Sequence, residues 1–487
     1  MFETLTQIDW FTLVKLASPL LVLLAASAVV IAGGALAEDG DSTSPVVALV
    51  GLGLAFVMAW RLWPTAPGTA VLALSFDRLS VASQMTVILS AVFVVMLSIP
   101  YLRAQGQMRA EYSGLLLLSV LGMGVLVSAG DLIVVLLGLE IMSLTVYALT
   151  GYLRRQRESV EAALKYFITG AFATAFFVMG LAFLFGSVGT TDLQLLAQRA
   201  PEVAAGPGRA FLLFGVAMVV VGFGFKVAAV PFHTWVPDAY QGAPTPITAF
   251  MATGVKVAAF IALARFALAV AGSLGDLWSH VFRGLALITI VVGNLAAIRQ
   301  DNIKRMLAYS GIAHAGYILI IFPTFIHGDP ASLRAVLLYL IAYGLTIIGA
   351  FSAVVAIGLE TPTAVDMSRL SGLARTRPIL AAALALFLLS LAGFPPTLGF
   401  FGKYYLFMEA LRQGEVFLVV VGVLGTLVSI YYYLRPIVAM YFRETGGLPR
   451  QVLHPLILAV LIVAAMAVIA FGILPQGLVA LVTASVS

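Results

Sequence analysis

Residues 209–240 read RAFLLFGVAMVVVGFGFKVAAVPFHTWVPDAY, and this stretch decides the fold. Between Arg209 and Asp238 the only formally charged side chain is Lys226. As one straight helix the stretch would be about 48 Å long at 1.5 Å per residue, against a hydrocarbon core of roughly 30 Å. Pro231 and Pro237 each remove a backbone donor and displace the carbonyl four residues earlier, so the stretch predicts a membrane helix broken inside the bilayer. Broken backbone at that depth is stable only where protein or water covers it, which places the segment within a larger bundle.

A second stretch of the same kind lies at 380–411, where Pro395 and Pro396 interrupt the apolar run ahead of Lys403. Reading the remaining apolar runs against their breakers predicts about fourteen spans, starting near 16, 45, 79, 112, 132, 159, 209, 247, 277, 303, 332, 380, 416 and 454. The fold class is therefore an all-α polytopic membrane protein. Interrupted helices at spans 7 and 12, running in opposite directions, predict two inverted five-helix repeats, spans 4–8 and 9–13. That divides the chain into 1–110 (three spans), 111–272 (first repeat), 273–443 (second repeat) and 444–487 (the last span).

Composition agrees with this. Of the 487 residues 62% are hydrophobic and 10% charged, and the mean hydropathy is +1.07. The net charge of +5 comes from basic residues scattered over interhelical loops, not gathered into the stripe a nucleic acid needs. With the amino terminus on one side, its loops hold Lys15, Arg61, Arg78, Arg199, Arg209, Arg283, Arg334 and Arg412. The opposite loops hold Arg103, Arg109, Arg154, Arg155, Arg157, Arg299, Lys304, Arg305, Arg369, Arg375, Arg377, Arg435, Arg443 and Arg450, together with the acidic Glu38, Asp39 and Asp41. The excess of positive charge makes that side cytoplasmic and puts both termini outside. The first fifteen residues, with Glu3, Asp9 and Lys15, lack the pattern of a cleaved signal, so the first helix is expected to target the chain. The absence of cysteine excludes thiolate-held iron–sulfur clusters, c-type haem and disulfides. Among the histidines no facing pair for haem ligation is identifiable, and no metal site is expected.

Six charged residues fall within spans: Glu140, Lys165, Lys226, Lys256, Arg265 and Lys403. A charge at the centre of a membrane helix costs about 2.5 to 3.5 kcal/mol on insertion scales, so a set of this size points to function. Glu140 is either a neutral hydrogen-bonded acid or the partner of a buried lysine. Lys226, one turn before the first break, either snorkels or receives freed carbonyls and water. Lys256 follows small residues that leave room for water, and Lys403 looks like the counterpart of Lys226 in the second repeat. A buried amine whose charge is set by its neighbours suits proton transfer. Lys165 sits near a span end, where it either snorkels or takes part. Arg265 retains its proton at working pH and reads as structural. His314 and His233 titrate near neutrality and either link lysines through waters or simply fill hydrogen bonds.

The stretch PFHTWVPDAYQGAPTPITAF at 231–250 resembles the signature of the antiporter-like membrane subunits of respiratory complex I, the proton-translocating NADH:quinone oxidoreductase, and of Mrp-type antiporters. GLEIMSL at 138–144, GFKVAAVPFH at 224–233, NIKRMLAYSGIAHAGY at 302–317 and AGFPPTLGFFGKYYLF at 392–407 are similar to further blocks of that family. Tyr240 with Gln241, Lys403 and the chain length point to its subunit N branch. The resemblance implies a proton path of Glu140 paired with Lys226, then Lys256, then Lys403, with Lys165 setting the charge state of the pair. It implies a translocase subunit of the bacterial inner membrane that carries no redox centre, NADH, flavin or quinone of its own. Flavin and iron–sulfur clusters would belong to partner subunits, and the partners would be other membrane-arm subunits, lipids, protons and internal waters. The alternatives are a sodium/proton antiporter subunit of Mrp type and a purely structural membrane subunit.

Overall fold

The helix starts are written in short polar residues. Asp77, Asp131, Asp192, Asn302 and Asp329 each accept a hydrogen bond from a backbone N–H in the first turn that follows. Such a cap is worth about 0.5–2 kcal/mol. Pro45, Pro378 and Pro455 open other helices in the first turn, where their missing N–H costs nothing.

The computed structural model describes residues 10–36, 43–65, 69–71, 73–359, 366–444 and 452–486. Glu3, Asp9, the acidic Glu38, Asp39 and Asp41, and Arg450 lie outside the described residues. In chain order the helices are α1 (Trp10–Leu16), α2 (Ser18–Leu36), α3 (Ser44–Leu62), α4 (Arg78–Ala104), α5 (Ala110–Val127), α6 (Leu132–Thr150), α7 (Arg157–Val188), α8 (Leu193–Ala205), α9 (Arg209–Val227) and α10 (Trp235–Gly242). There follow α11 (Thr245–Leu274), α12 (Asp276–Ile298), α13 (Ile303–Leu319), α14 (Pro330–Ile357), α15 (Pro378–Ala392), α16 (Leu398–Arg412), α17 (Val416–Phe442), α18 (Pro455–Ile473) and α19 (Gln476–Ser485). A short antiparallel hairpin, β1 (Thr69–Val71) and β2 (Leu74–Phe76), precedes α4. The hairpin, the amphipathic α8 and the short α19 are not in the sequence reading, because none has the length of a span.

Among the described residues, thirteen helices are long and apolar enough to cross a membrane. The missing one of the expected fourteen is the broken span, present as the two shorter helices α15 and α16. The other break divides α9 from α10. In both, the first half ends on a residue in the left-handed region, Ala228 at φ 64° and Gly393 at φ 89°.

The centre of the bundle is α13 and α14, whose spans are 94% and 89% buried, whereas α7 and α17 are 33% buried and turn apolar faces outward. Ion pairs gather at the two ends of the bundle. Arg265 pairs with Asp77 and Arg283 with Glu415 at one end of the bundle, while Lys165 and Arg305 share Asp238 and Arg435 takes Asp301 at the other. Arg265 is thus structural, also donating to the Val127 carbonyl. Two isolated bridges have matching positions: Asp131 with Asp192 at the start of α6, and Asn302 with Asp366 at the start of α13.

Candidate functional site

Lys256 sits where α11 changes pitch. Residues Met251–Val255 form a π turn, an insertion that adds a residue and redirects the side chains after it. Lys256 is 4% exposed; its Nζ donates to the Gly311 carbonyl at 2.5 Å and lies 4.8 Å from the centre of the Tyr343 ring. The expectation of small neighbours holds in Ala252 and Gly254, both buried.

From Lys256 a line of touching side chains crosses the centre of the bundle. The Tyr343 ring lies 4.8 Å from that of His314, and His314 lies 5.6 Å from Tyr317. Lys403 Nζ sits 5.2 Å above the Tyr317 ring. His314 is held at both nitrogens, Nδ1 by Tyr339 OH at 2.7 Å and Nε2 by Tyr433 OH at 3.1 Å. Because Tyr433 donates to Ser310 Oγ at 2.8 Å, its oxygen is left to accept from Nε2–H, and Nδ1 accepts from Tyr339. The structure thus brings together Lys256, His314 and Lys403. The tyrosines that join them went unnoticed in the sequence, where aromatic residues in apolar helices read as packing.

Lys403 is seated on the second break. Its ammonium donates to the carbonyls of Leu391 at 2.9 Å and Ala392 at 3.2 Å. These belong to the last turn of α15, where carbonyls have no partner further along the helix and the helix dipole favours a cation. Gly393 makes this approach possible: its left-handed turn ends α15, and a Cβ there would meet Lys403 Cδ at 3.2 Å.

Lys226 differs from both expectations made for it. Its ammonium donates to Ser143 Oγ at 2.6 Å and Tyr147 OH at 3.1 Å on α6, not to carbonyls freed by the break, and the Phe225 carbonyl is taken by Trp235 Nε1. Lys226 precedes its break and Lys403 follows its own, the order in which the sequence places them. Glu140 is only half-buried and accepts from Thr174 Oγ1 at 2.7 Å. No direct ion pair joins it to Lys226. Its span depth was legible, but its direction was not: Glu140 turns toward α7, beside the exposed Leu137 and Ile141, while Ser143 and Tyr147 face α9.

Lys165 lies near the end of its span, in the position that the first of its two readings describes. Its side chain is 48% exposed and pairs with Glu161 at 2.8 Å and Asp238 at 2.9 Å at the end of α7. These carboxylates, not the Glu140–Lys226 region, are its partners. Arg305 completes the cluster through Asp238 at 2.7 Å and Gln241 at 3.1 Å. His233 is half-buried in the first break, its Nδ1 buried without a partner, and it makes no hydrogen bond to a lysine.

One buried lysine was missed. Lys304, counted with the loop charges at the start of the tenth span, has no exposed surface and donates to the Ala243 carbonyl at 2.7 Å. The signal available was the cap: Asn302 starts α13, so Lys304 already lies in its first turn. Among the described residues no group of three or more histidine or carboxylate side chains is arranged to hold a metal ion.

Residues 129–429 match the family described as NADH:quinone oxidoreductase/Mrp antiporter, TM. Subunit N of the NADH-quinone oxidoreductase of Trichlorobacter lovleyi is 40% identical over 402 residues, 82% of this chain and 80% of that protein. Among solved structures, a chain of respiratory complex I from Thermus thermophilus with bound aureothin superposes with a TM-score of 0.81 at 34% identity, covering 95% of this chain and 98% of that one. A chain of the Mrp complex from Dietzia sp. shares the fold, with a TM-score of 0.84 at 22% identity over 97% of each chain. The chain belongs to the NADH:quinone oxidoreductase/Mrp antiporter family, in its NADH-quinone oxidoreductase subunit N branch.

Proposed function

We propose that this chain is the N-type membrane-arm subunit of an NADH:quinone oxidoreductase and moves protons along its central line of lysines. The observation that carries the reading is the buried contact chain Lys256–Tyr343–His314–Tyr317–Lys403 in mid-bundle. A buried amine is held as an ammonium by oxygen acceptors or persists as a neutral amine, so each lysine is able to take and release a proton. His314, held by hydroxyls at both nitrogens, spans the distance between Lys256 and Lys403.

Lys226 and Glu140 form the other end of the line. Glu140 and Ser143 lie one turn apart on α6, so the Lys226 ammonium reaches toward one or the other. Its bond to Ser143 is the parted state of this pair, and transfer to Glu140 is the joined state. Lys165 and His233 have weaker support as modulator and relay, since neither touches the line.

The matching bridges at the starts of α6 and α13, and the two broken spans, support reading 111–272 and 273–443 as inverted repeats. The loop charges support placing both termini outside the cytoplasm. No redox group is assigned to this cysteine-free chain; flavin and iron–sulfur clusters are assigned to partner subunits. Work would reach the line from those subunits through the membrane arm.

The test is Lys256→Ala in the assembled oxidoreductase in proteoliposomes. NADH oxidation coupled to proton uptake is expected to disappear while assembly on native gels persists; full pumping would overturn the reading. The Mrp-like fold keeps one other reading in view, sodium/proton exchange. Sodium-dependent transport in the absence of NADH would favour it.

A further inference from the structure

We propose that α7 holds Lys226 and Glu140 apart, with Tyr147 positioning the lysine and Thr174 positioning the carboxylate, so that two hydroxyls set the resting state of the pair. The proposal rests on reading Lys226 and Glu140 as one end of the proton line. Glu140, Ser143 and Tyr147 follow one another at steps of three and four residues, so they run along one side of α6. The two ends of this row are two turns apart, roughly 10 Å. Lys226, arriving from α9, takes Ser143 and Tyr147 and leaves Glu140 to Thr174.

Tyr147 is fixed in place because α7 builds the seat for its ring. Tyr166 and Phe167 pack edge-on against it, with 4.5 and 5.9 Å between ring centres. At Gly170 the α7 backbone is bare, and a Cβ there would overlap the Tyr147 hydroxyl and lie 2.6 Å from Cζ. The hydroxyl oxygen is thus lodged in a notch of α7, 3.1 Å from the Lys226 ammonium, whose Nζ also lies 5.3 Å from the centre of the ring. Ser143 gives the second acceptor, its own hydrogen being spent on the Leu139 carbonyl.

Thr174 stands one turn beyond Gly170 on α7, and its Oγ1 donates to Glu140 Oε1 at 2.7 Å. One helix therefore grips both members of the pair, at neighbouring turns. The parting has a chemical consequence. A carboxylate that reaches Lys226 compensates the ammonium charge, whereas hydroxyls only solvate it, so the lysine held by hydroxyls is the one able to pass its proton inward.

The experiment uses the assembled oxidoreductase in proteoliposomes, with NADH-driven proton pumping as one readout and the electron cryo-microscopy structure of each variant complex as the other. Tyr147→Phe keeps the ring and removes only the acceptor; Thr174→Val keeps the shape and removes only the donor. Each is expected to slow pumping about fivefold, the factor that goes with one lost hydrogen bond, because the pair then rests joined. In the Tyr147→Phe complex the Lys226 ammonium is expected within about 4 Å of the Glu140 carboxylate, the reach of an ion pair. Thr174→Ser retains the hydroxyl and is expected to pump faster than Thr174→Val; an equal or reversed order would assign Thr174 to packing and overturn the proposal. Wild-type pumping by Tyr147→Phe, with Lys226→Ala inactive, would overturn it too while leaving the lysine line standing. Slowed pumping with Lys226 still on Ser143 in the variant structure would do the same, since the tyrosine would then act by packing. Wild-type pumping by Lys226→Ala would overturn the underlying reading and this proposal with it. If Tyr147→Phe fails to assemble, the order of Thr174→Ser and Thr174→Val decides.

Discussion

The two broken helices hold their lysines in opposite ways. At the first break Lys226 leans away from its own backbone onto two hydroxyls of α6; at the second, Lys403 folds back onto the carbonyls that the break itself exposes. Hydroxyls rotate and exchange partners, whereas carbonyls at a helix end are fixed by the helix. The first lysine is therefore held by adjustable groups on a helix that also carries a carboxylate one turn away, and the second by a rigid seat with no carboxylate in contact. A pair that opens and closes suits the first position, and a terminal station suits the second.

Removing the rigid seat should have the largest effect. Lys403→Ala is expected to abolish pumping and to lower stability by about 1–3 kcal/mol, because two buried carbonyls lose their donor. Proteoliposome pumping and the melting temperature of the detergent-solubilised complex check both parts, and an unchanged melting temperature would show that the carbonyls find water.

The adjustable site should respond more gently. Ser143→Ala removes one of two acceptors and is expected to slow pumping roughly fivefold, corresponding to about 1 kcal/mol. If Ser143→Ala slows pumping as severely as Lys226→Ala, the two breaks are equally rigid and the contrast between them fails.

Lys304→Met sharpens the comparison by removing a buried lysine outside the line. It is expected to destabilise the α10–α11 connection, by about 1 kcal/mol from the lost bond to Ala243, with pumping per assembled complex retained. Loss of pumping at normal assembly would place Lys304 in the pathway.

The smallest expected effect is at the bundle end, where Arg265 meets Asp77. Burial works to raise the Asp77 carboxyl pKa, but the Arg265 charge and the hydrogen bonds from Arg265 and Ser80 outweigh it and hold it below 3.8. The folded pKa is thus depressed. Its stabilising contribution is present above the unfolded value and lost as pH falls through the folded one. Asp77→Asn should therefore lower the melting temperature slightly near neutral pH and flatten its decline in acid; an unchanged acid limb would show that the pair contributes nothing.

Much of this architecture was legible in the sequence. Span starts follow from hydropathy and capping, and both breaks from proline in overlong apolar runs. What was not legible is direction around a helix. Glu140 was placed at the right depth, yet whether it faces Lys226 or Thr174 depends on how α6 is rotated against α7 and α9. Lys304 was misread because its cover is the Ala243 turn, distant in sequence. The tyrosines around His314 come from α14 and α17, and only packing brings them together.

The lysines of the line, Lys226, Lys256 and Lys403, are held by hydroxyls and carbonyls, while the ion pairs of the described residues lie at the bundle ends. Among the described residues no fixed countercharge pairs with the row. Like charges repel strongly at the low effective dielectric of a protein interior, so a proton on one member raises the cost of a proton on the next. Occupancy along the row is then anticorrelated, like a queue that advances only when a place ahead empties. A charge brought up at either end by a neighbour would shift the whole queue without touching its middle.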